Sequence, residues 1–378
     1  MKILITSDWY YPVINGVVRS ILNLKEYLEN QGHDVKVLTL SNSTESYRKD
    51  NIYYIGSLGA GKIYPEARIS ATLRNKYIIE LKKWKPDIIH SQCEFSTFMM
   101  AVRIAKKASC PLIHTYHTIY EDYTHYFSPS KKVGKKVISV FSKAIADRTD
   151  FLIAPSIKTE KILERYTIEK EKIVVIPTGI HMPDKLLDKK NCRKIHNIDE
   201  SAKVILYLGR LAEEKNIEEL IRYYQKLDIK NLEFILVGGG PYLNNLKSYA
   251  KQFDKKIDFK GMVKSEEVNE YYRMADLFVS ASSSETQGLT YYEALSNGIA
   301  AICRKDLCLK EVIIDGFNGY QYENFNEFEK YVKEVLEDED LNKKLSKNAR
   351  EYALEKFSVK SFGNKCEKLY EKALEKEK

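Results

Sequence analysis

The sequence predicts an α/β protein built from two doubly wound, Rossmann-like domains that face each other across a cleft. Its 378 residues suit two domains of about 150 to 200 residues each. Short apolar runs alternate with longer helical patterns throughout, as in parallel sheets covered by helices. The alternation restarts near Ala202, after a linker-like stretch at 177–183. We therefore predict a first domain at 1–180, a second at 181–355, and a C-terminal helix at 356–378 that packs back on the first.

The apolar runs place the strands of both sheets. In the first domain we predict strands at Ile3–Thr6, Val35–Leu40, Asp87–His90, Leu112–Thr115, Phe151–Ala154 and Ile173–Ile176. In the second domain we predict strands at Val204–Leu208, Leu232–Val237, Ile257–Phe259, Leu277–Ser280 and Ile299–Cys303.

Composition excludes several classes of protein. A net charge of +8 is modest for this length and does not by itself indicate nucleic-acid binding. The six cysteines form no Cys-x-x-Cys pair, and no histidines stand at ligand spacing, so neither a disulfide framework nor a zinc site is expected. The apolar run after Met1 is too short for a signal peptide, and no run is long enough to span a bilayer. We expect a cytoplasmic protein that is soluble or peripheral to a membrane.

The stretch from Ser284 to Glu293 carries the strongest chemical pattern. It follows a buried strand and leads into a helix, so Glu285 and Glu293 lie at a carboxyl strand end, where open α/β sheets bind ligands. Gly288 allows close approach of the backbone, and the amides of 287–290 form a helix amino terminus that attracts anions. Carboxylates bind hydroxyls and amides bind phosphates, which together suit a nucleotide sugar. The alternative is a helix capped by Ser284 with surface glutamates.

Two cations follow the first strand of the second domain. Arg210 and Lys215 would offer a diphosphate a bidentate guanidinium and a compact ammonium group. Glycine turns at 238–240 and at Gly261 follow the next two strands and could admit a planar base, although such turns are commonly structural.

The first domain offers weaker signals. Its first loop lacks Gly-x-Gly-x-x-Gly, but Asn15 and Gly16 open a helix that runs to Asn30. His117 lies just beyond a strand and should point into the cleft. A purely structural helix cap and a purely structural histidine are the alternatives.

A basic helix between Ser128 and Thr149 bears on the acceptor. Its apolar residues, from Val133 to Ile145, recur at the spacing of one helical face. Lysines beside such a face suit a helix lying on an anionic membrane. The expected membrane and acceptor contacts are Tyr123, Tyr126, Lys131, Lys132, Lys135, Lys136 and Phe141. The alternative is an ordinary helix with a solvated lysine face, and the nearby aromatic residues form no RNA-binding pattern.

The sequence resembles the retaining GT-B glycosyltransferases of family 4. The resemblance is carried by Gly209-Arg210, by Glu214-Lys215-Asn216, and by two glutamates separated by seven residues. The resemblance covers nearly the whole chain. It implies that Arg210 and Lys215 hold the donor diphosphate, Glu285 the sugar hydroxyls and Glu293 the ribose diol. It also implies donor contacts at Gly16, His117, Met262, Val263, Gln287, Gly288, Leu289 and Thr290, with His117 near the reacting carbon and Met262 and Val263 beside the base.

No Asp-x-Asp cluster stands at a matching position, so we expect no metal and no cofactor besides the nucleotide-sugar donor. Gln287 replaces a phenylalanine that many members carry, and Ala300 replaces a common proline. With the tyrosine-rich segment at 120–126 and the basic helix, the chain resembles bacterial glucosyltransferases that glycosylate diacylglycerol. That resemblance implies transfer from UDP-glucose to the 3-hydroxyl of 1,2-diacylglycerol, at the inner face of the cell membrane.

Two alternatives stay open at this point. One is a family-4 enzyme with another acceptor, such as a phosphatidylinositol mannosyltransferase or a cell-wall glycan enzyme. The other is a non-catalytic, glycosyltransferase-like partner subunit, although such proteins typically lose the charged donor residues that this sequence keeps.

Overall fold

The chain divides into two compact units. The computed structural model describes residues 1–13, 15–61, 67–70, 74–121 and 130–376. The first unit comprises Met1–Gly179 together with Val359–Lys378, and the second comprises Ile180–Ser358. The first unit is therefore discontinuous in sequence, because its last segment follows the whole of the second.

The first unit is built on an eight-stranded sheet with the order β10-β9-β8-β7-β1-β2-β4-β3. Every pair in it is parallel except β3 with β4, and β5 pairs antiparallel with β6 in a separate two-stranded sheet. The strands are β1 (Lys2–Thr6), β2 (Asp34–Leu40), β3 (Tyr47–Lys49), β4 (Ile52–Ile55), β5 (Leu58–Gly59), β6 (Arg68–Ile69), β7 (Ile88–Ser91), β8 (Leu112–Thr115), β9 (Phe151–Ala154) and β10 (Ile173–Val175).

Helices cover both faces of this sheet. They are α1 (Gly16–Asn30), α2 (Lys76–Trp84), α3 (Ser96–Ala108), α4 (Lys131–Ala146) and α5 (Ile157–Arg165). Along β1 the buried side chains alternate between two hydrophobic clusters, with Leu4 in one and Ile3 and Ile5 in the other. Such alternation places a core on each face of the sheet, as in doubly wound proteins.

The second unit has a six-stranded, wholly parallel sheet with the order β13-β12-β11-β14-β15-β16. Its strands are β11 (Lys203–Leu208), β12 (Leu232–Val237), β13 (Ile257–Gly261), β14 (Leu277–Ser280), β15 (Ala301–Arg304) and β16 (Gly319–Tyr322). Its helices are α6 (Lys189–Ile195), α7 (Ile217–Lys226), α8 (Leu243–Ala250), α9 (Val268–Met274), α10 (Leu289–Ser296), α11 (Phe325–Glu337) and α12 (Glu339–Lys356). Two clusters again flank the sheet, with Leu206 in one and Tyr207 in the other.

The final helix, α13 (Val359–Lys376), packs within the first unit. It inserts Phe362, Cys366 and Tyr370 into the cluster that also contains Ile3 and Ile5. Gly363 permits this packing, because a Cβ atom there would lie 2.2 Å from the Tyr27 ring on α1. The close approach of α1 and α13 therefore depends on that glycine.

The predicted fold class, two doubly wound Rossmann-like domains, is confirmed. The sheet of the first unit is not wholly parallel, because β3 turns back on β4 across two residues, Asp50 and Asn51, and Asp50 takes the positive φ of a tight turn. Strands β3, β4, β5, β6 and β16 were not predicted from the sequence.

Candidate active site

The loops that follow the strands of the second unit meet along one edge of its sheet. A Cβ atom at Gly238 would lie 1.9 Å from the Gly209 carbonyl oxygen, and one at Gly240 would lie 2.3 Å from that of Leu211. The loops after β11 and β12 therefore pack backbone against backbone, which only glycine allows at these points. The Gly209 amide also donates to the Val237 carbonyl at 3.0 Å.

Lys215 and Glu285 form an ion pair at this edge. The Lys215 Nζ atom lies 2.6 Å from Glu285 Oε1, and the two side chains are only 16% and 20% exposed. Lys215 ends a short 3-10 turn after β11, whereas Glu285 lies in the loop after β14, 70 residues later. The fold thus brings together the ammonium group predicted for the diphosphate and the carboxylate predicted for the sugar.

Arg210 is held more loosely than Lys215. Its guanidinium is 57% exposed and lies 3.7 Å from the Glu214 carboxylate. The backbone beneath it is fixed instead by Tyr207, whose hydroxyl donates to the Arg210 carbonyl at 3.1 Å. Burial, reinforced by the neighbouring Glu285 and Glu214 carboxylates, raises the pKa of Tyr207, which keeps its hydroxyl protonated and able to donate.

Gly288 shapes the amino terminus of α10. It adopts a left-handed conformation with φ +76, and a Cβ atom there would lie 2.4 Å from the Tyr291 ring. The helix starts at Leu289 directly after it, so the first amides of α10 have no partner within the helix. The half-buried residues 288–290 thus form an anion-attracting terminus near Glu285, whose Cγ would lie 3.4 Å from the same Cβ position.

Gln287 faces the protein rather than the loop's outer side. Only 7% of the residue is exposed, and its side chain is hydrogen-bonded to the buried Tyr292 hydroxyl. Its carbonyl oxygen accepts from the Cys308 thiol at 3.1 Å. These contacts fix the loop, so a ligand would meet the backbone of this residue and not its amide side chain.

Glu293 is oriented by a residue that the sequence did not single out. The hydroxyl of Tyr272, which is fully buried, lies 3.2 Å from both Glu293 Oε2 and the Thr290 carbonyl oxygen. One tyrosine on α9 therefore fixes both the start of α10 and the second glutamate of the pair. In the sequence, Tyr272 reads only as an apolar position on a helix, which gives no hint of this role.

Met262 and Val263 follow β13, and they differ in solvent exposure. Met262 is 81% exposed, and its Cγ atom packs so close to Gly239 that a Cβ there would lie 2.6 Å away. Val263 is half-buried against a core cluster of the unit. The contact of both residues with a nucleotide base stays a prediction.

In the first unit, His117 lies just past β8 and is half-buried. Its Nε2 atom lies 2.6 Å from the Gln92 side-chain oxygen and so donates to it. Burial, with a smaller contribution from His114, lowers the pKa of His117 to about 3, so the imidazole is neutral at physiological pH.

The start of α1 contains the other predicted residues of the first unit. The Asn15 side chain accepts from the Val18 amide at 2.9 Å, as a helix cap does, and the exposed Gly16 is the first residue of the helix. The structural cap is therefore real, and a donor contact at Gly16 stays a prediction.

The apolar residues of the basic helix α4 form one wide face, and only part of that face is buried. Ile138 and Ile145 are buried in the first unit, whereas Val133, Val137 and Val140 are 58%, 54% and 64% exposed. The difference follows from helical geometry, because residues 133, 137 and 140 lie along one edge of this face and 138 and 145 along the other.

The charged and aromatic residues of α4 also differ in their surroundings. Lys132 and Lys136 are exposed, and Lys135 pairs with Glu121 at 3.0 Å. The Phe141 ring stacks on Phe95 with centroids 5.9 Å apart. Lys131 begins the helix, but its side chain lies outside the described part of the structure, as do the predicted contacts Tyr123 and Tyr126.

Two further observations concern metal ions and membrane-spanning helices. Within the described ranges, no group of three or more His, Cys, Asp or Glu side chains is arranged to hold a metal ion. None of the described helices is long and apolar enough to cross a membrane.

The chain belongs to the glycosyltransferases of family 4. The family described as Glycosyltransferase Family 4 matches residues 14–182, and the family described as Glycosyl transferases group 1 matches residues 188–352. These two matches and the fold establish a GT-B glycosyltransferase, which confirms the predicted enzyme class.

Among curated proteins, the chain is similar to two alpha-monoglucosyldiacylglycerol synthases. That of Streptococcus pneumoniae is 32% identical over 382 residues, covering 98% of this chain and 85% of the relative. That of Acholeplasma laidlawii is 31% identical over 390 residues, covering 98% of this chain and 96% of the relative. The predicted resemblance to this group is confirmed.

Among solved structures, the fold is similar to that of Anabaena HepE in complex with UDP and glucose. The TM-score is 0.72 at 17% identity, with 98% of this chain and 100% of that chain covered. It is also similar to sucrose-phosphate synthase from Thermosynechococcus elongatus, with a TM-score of 0.73, 21% identity and 99% of both chains covered. At these identities the likeness concerns the fold.

Proposed function

We propose that the protein is a retaining glucosyltransferase that moves glucose from UDP-glucose to the 3-hydroxyl of 1,2-diacylglycerol. The observation that carries this proposal is the Lys215–Glu285 ion pair beside the amino terminus of α10. It places a cation for phosphate, a carboxylate for sugar hydroxyls and a set of helix-terminal amides at one sheet edge. A nucleotide sugar is the ligand that needs all three.

The donor would be bound by groups with separate tasks. Arg210, exposed and loosely paired, would turn to the diphosphate, and Lys215 would contact it while keeping its bond to Glu285. An ammonium group has three donors, so it can serve both partners at once. Glu293, held by Tyr272, would accept from the ribose diol, and the exposed Met262 would cover one side of the base.

Glucosyl transfer would then proceed by electrostatic stabilisation of the leaving group. As the bond from the anomeric carbon to the diphosphate oxygen breaks, positive charge develops on the sugar and negative charge on the diphosphate. Arg210, Lys215 and the α10 amides would stabilise that negative charge. The acceptor oxygen would bond to the anomeric carbon on the face that the diphosphate leaves, and its proton would pass to a diphosphate oxygen.

Retention and the acceptor are supported by the relatives. Both similar synthases are named for an alpha-linked product on diacylglycerol. UDP-glucose is itself α-linked, so an α-product means retention of configuration. HepE, which shares the fold, holds UDP and glucose.

Action at a membrane surface is supported by α4. Val133, Val137 and Val140 form an exposed apolar stripe, and Lys132 and Lys136 lie exposed beside it. A contiguous apolar stripe is unfavourable in water, whereas valines flanked by lysines suit the boundary between anionic headgroups and acyl chains. We call these five residues the α4 outer surface, and we propose that it docks the enzyme on the inner face of the membrane, where the lipid acceptor is found.

The proposal is tested by offering a panel of nucleotide sugars, UDP-glucose, UDP-galactose and GDP-mannose, to dioleoylglycerol in mixed micelles. We expect UDP-glucose to be preferred and the product to show the small anomeric proton coupling of an α-glucoside. A β-glucoside would exclude the retaining mechanism. Transfer only from GDP-mannose, or only to another lipid such as phosphatidylinositol, would reassign the substrates.

A further inference from the structure

Gln92 lies between two histidines in the buried centre of the first unit. It directly follows β7, is 1% exposed, and places its side-chain oxygen 2.6 Å from His117 Nε2. Its side-chain nitrogen lies 3.1 Å from Nε2 of His90. An amide has one accepting end and one donating end, so its orientation determines which nitrogen of each imidazole carries the proton.

The hydrogen-bond chain continues from His90 to helix α13. His90 Nε2 also lies 2.7 Å from the Thr115 hydroxyl, and its Nδ1 lies 2.7 Å from the Tyr370 hydroxyl on α13. If the Gln92 amide nitrogen donates to His90 Nε2, that nitrogen accepts and shares its lone pair with the rotatable Thr115 hydroxyl. The His90 proton then resides on Nδ1 and is donated to Tyr370. Burial lowers the pKa of His90 to about 3, so this imidazole is neutral and can both accept and donate.

We propose that Gln92 is a positioning residue that holds His117 as the tautomer protonated on Nε2, which leaves Nδ1 as the ring's hydrogen-bond acceptor for a substrate hydroxyl. The inference rests on the proposed function for its substrate. Among the described residues, the His117 ring has its hydrogen bond through Nε2, and Nδ1 has no partner. An imidazole in this state is a hydrogen-bond acceptor with a fixed direction, and it does not act as an acid at neutral pH.

A reversed amide would give a second self-consistent arrangement. Turning the Gln92 amide over would place its nitrogen against His117 Nε2 and its oxygen against His90, and both histidines would exchange tautomers. The 2.6 Å separation from His117 Nε2 is short even for an N–H···O bond, and a bond between two nitrogens would be longer still. The geometry therefore favours the orientation in which His117 donates to Gln92.

The tautomer of His117 can be measured without any substrate. In uniformly 15N-labelled protein, long-range proton–nitrogen correlation distinguishes a protonated from an unprotonated ring nitrogen, and His117→Asn assigns the signals. We expect Nε2 protonated and Nδ1 unprotonated in the wild type. In Gln92→Leu, which removes both ends of the amide, we expect the signals of both tautomers.

Kinetic measurements on Gln92→Leu distinguish a role in positioning His117 from a general loss of structure. Turnover is followed as transfer from UDP-glucose to dioleoylglycerol in mixed micelles. We expect Gln92→Leu to lower kcat by roughly ten- to hundredfold while KM for UDP-glucose changes by less than about threefold, because a misplaced group weakens the transition state more than donor binding.

A matched pair of tyrosine variants keeps the inference testable if Gln92→Leu does not fold. Tyr370→Phe removes only the hydroxyl that accepts from His90, at the other end of the hydrogen-bond chain from His117. Without that acceptor, His90 and Gln92 can adopt the reversed arrangement, so the second tautomer should appear at His117. Tyr53→Phe removes a buried-ring hydroxyl of the same unit, bonded to Glu80 at 2.9 Å, and should leave the His117 signals unchanged.

Two results would overturn the inference: Nδ1 protonated in the wild type, or a folded Gln92→Leu protein that keeps one tautomer and wild-type kcat. Absence of lipid glucosylation in the wild type would instead refute the proposed function. In that case the nitrogen spectra of the wild type and Tyr370→Phe still decide whether Gln92 fixes the tautomer.

Discussion

Lys215 and Glu285 neutralise each other's charge in the protein without any ligand. Their ion pair at 2.6 Å is mostly shielded from solvent, so each side chain is kept in place by the charge of the other. A donor that binds here finds both groups already oriented, which lowers the cost of ordering them. The pair thus brings two charged residues 70 positions apart together in the candidate site.

We expect Lys215→Ala and Glu285→Ala each to lower kcat/KM by at least roughly a hundredfold, because each removes a fixed charge that stabilises the transition state. Circular dichroism should show an unchanged fold. The matched control is Lys333→Ala, which breaks a comparable pair with Glu329 at 2.9 Å on α11 and should retain full activity. Wild-type turnover in Lys215→Ala would show that the donor site lies elsewhere.

Asp8 has a carboxyl group that is costly to ionise. The residue is 6% exposed, its Oδ1 accepts from the Thr97 amide at the start of α3 at 2.9 Å, and burial raises its pKa from 3.8 to about 6. The folded state therefore holds this proton more tightly than the unfolded state. The resulting penalty is absent below pH 3.8, grows up to about pH 6 and is complete above it.

We expect Asp8→Asn to raise the free energy of unfolding at pH 7 by up to about 3 kcal/mol, since the amide keeps the acceptor for Thr97 and removes the buried charge. The gain should shrink as pH falls from 7 to 4. Urea unfolding of both proteins across this range measures the difference. A gain that does not depend on pH would mean that the carboxyl group titrates normally.

The charged residues of the site were predictable, whereas the residues that hold them were not. Arg210, Lys215 and Glu285 lie in loops that follow strands, and Glu293 lies in the helix after Glu285. Their combined spacing, more than any one charge, indicated a ligand site. Tyr272 sits within a short helix and has no such signal. Its role depends on a hydroxyl 3.2 Å from Glu293, and that distance is set by tertiary packing.

At the scale of elements, α4 differs from the other helices of the first unit in what it leaves exposed. A helix that only covers a sheet needs an apolar face no wider than its buried contact, and the apolar face of α4 extends beyond it to Val133, Val137 and Val140. The neighbouring end of α3 adds Phe95 and Met99, each 45% exposed, and Phe95 contacts Phe141 on α4. The apolar surface therefore extends across two helices.

We expect Lys132→Glu combined with Lys136→Glu to weaken binding to anionic vesicles by about 2 kcal/mol or more, roughly thirtyfold, because each lysine near such a surface contributes about 1 kcal/mol. Val133→Ser combined with Val137→Ser should weaken binding to both anionic and neutral vesicles, since it removes apolar contact. Flotation with phosphatidylglycerol and phosphatidylcholine vesicles at low salt measures both effects.

The controls for this prediction lie in the second unit. Lys343→Glu combined with Lys347→Glu makes the same charge change on the exposed side of α12, where these side chains are 66% and 74% exposed. Ile195→Ser removes a residue that is 61% exposed. All of these control proteins should float like the wild type. Equal flotation of the α4 variants would show that this face only keeps the protein soluble.

The central strands were predictable because burial on both faces makes them continuous apolar runs. Ten of the predicted strands overlap observed ones within a residue or two, and Ile299–Cys303 overlaps β15 at Ala301–Arg304. Strand β3, Tyr47–Lys49, is short, polar and fully exposed at the sheet edge. It gains its conformation from pairing with β4, so its own residues show no apolar pattern that would predict a strand.

At the scale of the whole molecule, the first unit depends on a segment that follows the second. Helix α13 buries Phe362, Cys366, Leu369, Tyr370 and Ala373 in the core of the first unit. Fully buried apolar side chains contribute about 1.5 to 3 kcal/mol each. Their sum is comparable to the roughly 5 to 15 kcal/mol that separates folded from unfolded domains.

We therefore expect a protein truncated after Ser358 to lose the fold of the first unit and keep that of the second. Limited proteolysis should leave a resistant fragment within 180–358, which has its own hydrophobic clusters. A control lacking only residues 377 and 378 keeps α13 whole and should resist proteolysis like the wild type. A truncated protein whose first unit also resists cleavage would contradict this dependence.

The discontinuity of the first unit also bears on biosynthesis. Domains usually fold in the order in which the ribosome releases them, from the amino terminus onward. Here 179 residues of the first unit emerge early and must wait for Val359–Lys378, which are translated only after the whole second unit. The second unit can complete its fold while the first still exposes the apolar groove that α13 will fill. A nascent chain is therefore most in need of chaperone protection during that interval, and a stop codon just before Val359 would disrupt the first unit even though it leaves the second complete.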